Sequence, residues 1–125
     1  MNIDTINVLV LAYLGDTIYE DYIREYLIKL GINNVNELQK ESIKFVSAKS
    51  QAMFLKELLD SNFYNEKEID IIHRARNYKK STHPKNCDVL TYKHSTAFEA
   101  VIGYHKLNND IERINEIINK ILYKE

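Results

Sequence analysis

From Thr5 to Leu30 the chain reads TINVLVLAYLGDTIYEDYIREYLIKL. Ile6, Val10, Leu14, Ile18, Tyr22 and Tyr26 recur every four residues, with Leu11, Ile23, Leu27 and Leu30 beside them. That is a broad helical stripe and not the alternation of a strand. Gly15 falls inside this helix and Gly31 ends it. Only three glycines and one proline occur in 125 residues, so the rest of the pattern is also read for helices first. Asn36 with Gln39 opens a second helix through Leu38, Ile43, Phe45 and Val46, and Ser47 to Leu59 continues as a third. Asn65 with Glu68 starts a fourth that reaches about Asn77, His94 to Leu107 is a fifth, and Asn109 with Glu112 caps a sixth through Ile114, Ile117, Ile118 and Ile121. The expected architecture is one all-α domain of about six helices over residues 1–125.

Composition agrees. Apolar residues make up 45% and charged residues 28%, which excludes disordered, collagen-like and low-complexity chains. A chain of this length buries roughly two thirds of the surface exposed when unfolded, enough for one sizeable core. The uncharged run Val8 to Leu14 is too short to span a bilayer and lacks the basic flank of a signal peptide, so a soluble, cytoplasmic protein with no membrane partner is expected. The single Cys87 fits a reducing compartment and excludes a cysteine-ligated zinc module. It reads as a spectator thiol, since nothing pairs it with a base.

Net charge is −1, but it is unevenly placed. Between His73 and His94 stand Arg74, Arg76, Lys79, Lys80, Lys85 and Lys93 against Asp88 alone, a local +5 that leaves −6 on the rest. Tyr78 to Tyr92 lacks helical periodicity and is expected to be the one long loop, which in a compact domain is usually functional. Cations mixed with Ser81, Thr82 and Asn86 suit phosphate and sugar contacts, including the 2′-hydroxyls of an RNA duplex. A solvated charged face is the competing reading.

Two carboxylates stand out. Asp16 follows Gly15 inside an apolar helix, with Glu20 one turn on, and two acids so close repel unless solvated or joined by a cation. A hard divalent ion such as Mg²⁺ takes one or two carboxylates and completes its shell with water and phosphate. Glu99 has two readings. With Thr96 it fits a capping box at a helix start, whereas Gly103 four residues on suggests a mid-helix site approached closely by another helix. His94 and His105 share a helix face but stand about 16 Å apart along it, too far for one metal, and His73 and His83 show no ligand spacing.

Leu11-Ala12-Tyr13-Leu14-Gly15-Asp16-Thr17-Ile18-Tyr19-Glu20, followed about eighty residues later by Tyr92 to Tyr104 with Glu99 at its centre, resembles the catalytic domain of the ribonuclease III family, and most closely its short Mini-ribonuclease III branch. Val46-Ser47-Ala48-Lys49-Ser50-Gln51-Ala52 and the stretches Arg74 to Asn77 and Pro84 to Asp88 extend the resemblance over nearly the whole chain. It implies a ribonuclease III-type helical endonuclease domain, homodimeric, that hydrolyses double-stranded RNA with Mg²⁺. The products implied are 5′-phosphate and 3′-hydroxyl ends, and the substrate implied for this branch is the large-subunit (23S) ribosomal RNA precursor. Asp16 and Glu99 fall on the family's catalytic, metal-holding acids. Larger members carry further acids at the positions of Leu9, Ala12 and Thr96, so fewer carboxylates are expected here. Arg74, Arg76, Lys79, Lys80 and Lys85 are expected to grip RNA, with Lys85 on a phosphate. Asp88 and Glu20 are secondary candidates for supporting the metal's water. The alternatives are a non-catalytic double-stranded RNA-binding scaffold of the same fold and an interaction-only helical bundle.

Overall fold

A computed structural model describes residues 1–79 and 85–123. After a short 3₁₀ turn at Ile3–Thr5, six α-helices follow among the described residues: α1 Val8–Lys29, α2 Val35–Val46, α3 Ala48–Asp60, α4 Glu66–Arg76, α5 Val89–Leu107 and α6 Ile111–Leu122. Each opens on a short polar side chain that accepts from a backbone N–H of its first turn: Asn7, Asn34, Ser47, Asn65, Asp88 and Asp110. Asn65 and Glu68 form the reciprocal capping box expected of them. Helices α1, α3 and α5 end in left-handed residues, Gly31 (φ 100°), Asn62 (φ 56°) and Asn109 (φ 57°). Behind each, the next backbone N–H reaches back to close the turn: Ile32 to Leu27, Phe63 to Leu58 and Asp110 to His105.

Three expectations require correction. The second helix is capped by Asn34 rather than Asn36. Asn109 caps no helix start; it is the left-handed exit of α5, and Asp110 caps α6. The long loop is shorter than expected, because α5 begins at Val89 with Asp88 as its cap.

Helix α5 is the hub. Helices α1, α3 and α4 pack along it, α6 touches its end, and α2 lies on α1. Ser95 to Phe98 and Ala100 to Gly103 are all buried, so the middle of α5 is covered by protein except where Glu99 opens on a cleft. Tyr19 and Phe98 meet edge to face at 5.0 Å in this core. The α1–α5 contact is backbone to backbone. A Cβ at Gly15 would overlap the Glu99 carbonyl oxygen, and one at Gly103 would overlap the Leu11 carbonyl oxygen. The close approach expected at Gly103 is therefore present, and Gly15 is its counterpart. No helix of the described residues is long and apolar enough to cross a membrane.

A buried ion cluster pins α4, α5 and α6 together. The fully buried Glu68 accepts from Arg113 Nη2 (2.7 Å) and Nε (2.8 Å) and from the Asn65 N–H (2.8 Å), and its Oε2 lies 2.6 Å from His105 Nε2. Burial alone would raise this acid, but Arg113, His105 and the Asn65 N–H outweigh it and hold the carboxyl at about 2.

Candidate active site

The glycine contact between α1 and α5 sets the position of the acids. Asp16 is the residue after Gly15, and Glu99 is the residue whose carbonyl Gly15 admits, so both side chains leave the crossing toward one cleft of about 450 Å³. Asp16 is exposed and Glu99 half-buried, and the two share the lining of this cleft closely enough for the charge of one to act on the other. Helix α3 adds Gln51, whose Nε2 donates to Glu99 Oε2 (3.3 Å). Burial, and then the charge of Asp16, push the Glu99 carboxyl up to about 9, while Gln51 pulls the other way. The deeply buried Tyr19, whose hydroxyl donates to the Phe45 carbonyl (2.9 Å), also feels Glu99, and its phenol is raised by burial and by that charge.

An all-oxygen pair of mutually repelling carboxylates fits a hard divalent cation, which relieves the repulsion while filling the rest of its shell from water. No three His, Cys, Asp or Glu side chains converge as a metal cage among the described residues, so two acids are what this cleft offers. Leu9, Ala12 and Thr96 line the same cleft, so the positions where larger family members were expected to carry acids face this space with uncharged side chains. Thr96 is buried in the middle of α5 and caps nothing, so the capping-box reading of Glu99 falls.

The other candidates lie apart from the cleft lining. Glu20 pairs with Arg24 Nη2 (3.0 Å). Asp88 accepts from Thr91 N (2.8 Å) and Oγ1 (2.9 Å) as the cap of α5, and those bonds lower its carboxyl. Arg74 is half-buried with Nε 3.4 Å from Asp70 Oδ2. Arg76 is exposed and lines a separate cleft with His94, whose imidazole is lowered by burial and by Arg76. Lys79 and Lys85 are exposed, and Lys80 lies outside the described residues. Gln51 was missed as a site residue: it stands in one of the stretches that carry the family resemblance, but an amide surrounded by Ser, Lys and Ala has no spacing that points to an acid 48 residues away.

Helical fold, glycine crossing and paired acids together define a class. The family model described as the ribonuclease III domain matches residues 9–110, and the chain belongs to that family of endoribonucleases. Proteins named Mini-ribonuclease 3 place it in the short branch. The one from Staphylococcus aureus is 42% identical over 97% of this chain and 90% of that protein. The one from Streptococcus pneumoniae is 40% identical over 99% and 97%. A solved structure from Fusobacterium nucleatum is similar with a TM-score of 0.83 at 38% identity, covering 93% of each chain.

Proposed function

We propose that this chain hydrolyses phosphodiester bonds of double-stranded RNA in a Mg²⁺-dependent reaction that leaves 5′-phosphate and 3′-hydroxyl ends, and that its substrate is the precursor of large-subunit (23S) ribosomal RNA. The observation that carries the reading is the meeting of Asp16 and Glu99, 83 positions apart in sequence, in one cleft. Asp16 and Glu99 hold the cation. When bound, a divalent ion lowers the pKa of water and neutralises charge on the scissile phosphate. The chain supplies the rest: Asp16 stays open to the substrate, Glu99 is anchored by Gln51, and Arg76, Lys79, Lys80 and Lys85 take backbone phosphates outside the cleft. A two-fold dimer sets one such cleft against each strand of a duplex.

A second reading is a non-catalytic RNA-binding scaffold, favoured by the uncharged Leu9, Ala12 and Thr96 in the cleft. Incubation of duplex RNA with the protein in Mg²⁺ and then in EDTA separates the two. Cutting in Mg²⁺ alone is expected, and binding without cutting establishes the scaffold. Asp16→Asn and Glu99→Gln each remove a carboxyl that would hold the cation, at constant volume, and are expected to abolish cleavage. In EDTA the Glu99 carboxyl, pushed up to about 9, is already neutral at pH 7, and Asp16 is exposed, so neither variant is expected to lower the melting temperature.

A further inference from the structure

Gln51 is the most deeply buried polar side chain of the cleft, at 1% exposure. Its amide nitrogen donates twice, to the Val46 carbonyl (3.3 Å) at the end of α2 and to Glu99 Oε2 (3.3 Å). Only an –NH₂ group can serve two such acceptors, so the orientation of the amide follows from its partners. Its Oε1 is left buried without a hydrogen-bond partner, and no other side-chain atom of the cleft is in that position among the described residues. A buried acceptor without a donor costs about 1–3 kcal/mol, so a native site that retains one has a donor to receive.

We infer that Gln51 is a positioning residue of the cation site: its nitrogen fixes the Glu99 carboxylate, and its Oε1 takes a hydrogen bond from hydration water that the cation brings into the cleft. The inference rests on the reading of Asp16 and Glu99 as that site. It also accounts for the residue type. A third carboxylate at position 51 would add to the repulsion within the pair, and an apolar residue would strand the Val46 carbonyl and Glu99 without a donor. The neutral amide provides a donor to the acid and an acceptor to water, with no added charge.

The test measures Mn²⁺ binding by calorimetry on the intact protein, beside cleavage of duplex RNA, for wild type, Gln51→Met and Gln51→Glu. Urea unfolding shows that each variant is folded. Met keeps the volume and loses both functions, and is expected to weaken Mn²⁺ binding roughly 10–100-fold. It should also lower kcat with an unchanged KM for RNA, and be partly rescued by excess Mg²⁺. Glu restores an oxygen acceptor and is expected to bind Mn²⁺ better than Met does. Mn²⁺ affinity and kcat unchanged in Gln51→Met, with only the melting temperature altered, would reduce Gln51 to a packing residue and overturn the inference while leaving the nuclease reading intact. Failure of the wild type to bind Mn²⁺ overturns both. Mn²⁺ binding without RNA cleavage overturns the nuclease alone, and the Met and Glu affinities still decide Gln51.

Discussion

Glu68 is fully buried and Glu99 half-buried, and the groups facing them act in opposite directions. Arg113 and His105 stand over Glu68, whereas Glu99 faces Asp16 and the neutral Gln51. The first carboxyl is therefore held down at about 2 and the second pushed up to about 9. For Glu68, whose folded value lies below the ordinary 4.5, the stabilisation is complete above pH 4.5 and is lost as pH falls toward 2. Glu68→Gln is expected to cost about 3–5 kcal/mol at neutral pH, because it takes the buried anion from the part-buried Arg113 and leaves it only the exposed Glu116 (Nη1–Oε1 3.3 Å). It should also flatten the pH dependence of stability between 4.5 and 2, as read from urea midpoints across that range. Half of Glu68's role was visible beforehand. The Asn-x-x-Glu spacing marks the capping box, but the same pattern occurs at exposed helix starts and carries no sign of His105 or Arg113, which arrive from helices 37 and 45 residues away.

Among the elements, the contact of α1 with α5 distinguishes two kinds of glycine. Gly31 has φ 100° and nothing within 4 Å of a Cβ, so Gly31→Ala meets only backbone strain of about 1 kcal/mol. Gly15 and Gly103 are ordinary helical residues whose Cβ atoms would drive into the facing backbone. Gly15→Ala or Gly103→Ala is expected to cost about 3 kcal/mol or more in urea unfolding, with nuclease activity falling alongside, since backbones yield less easily than side chains. Gly103 could be read from the sequence because glycine inside a helix needs a reason. The start of α5 could not. The covered stretch from Ser95 to Gly103 has no polar side to give it a period, and the first turn before it, with Val89 and Leu90 exposed, runs out of a polar, basic stretch. Asn109 was misassigned for a related reason: Asn serves equally as a helix cap and as a left-handed exit, and only the bond from Asp110 to the His105 carbonyl decides between them.

At the scale of the whole molecule, the +5 segment between His73 and His94 sits on a body that carries −6. Arg74 is already engaged by Asp70, so alanine there is expected to disturb α4 rather than RNA contact alone. Alanine at Arg76, Lys79, Lys80 and Lys85 together removes four candidate phosphate contacts. Wild-type affinity for duplex RNA is expected to fall roughly a hundredfold between 50 and 200 mM salt if all four are made, and the quadruple variant to lose most of that slope, measured by filter binding. The charge imbalance could be counted from the sequence, and the paired acids were reachable through the family resemblance. The amide that bonds Glu99 was not, because α3 has to dock on α5 before Gln51 and Glu99 are neighbours. The junction of α1 and α5 has one more effect. Asp16 and Glu99 stand on either side of a weld with no joint between their backbones, like the tines of a fork, so only their side chains can adjust to what is placed between them. Movement of α1 against α5 is then no means of sorting one RNA from another, and the way a duplex is laid across the tines carries that task.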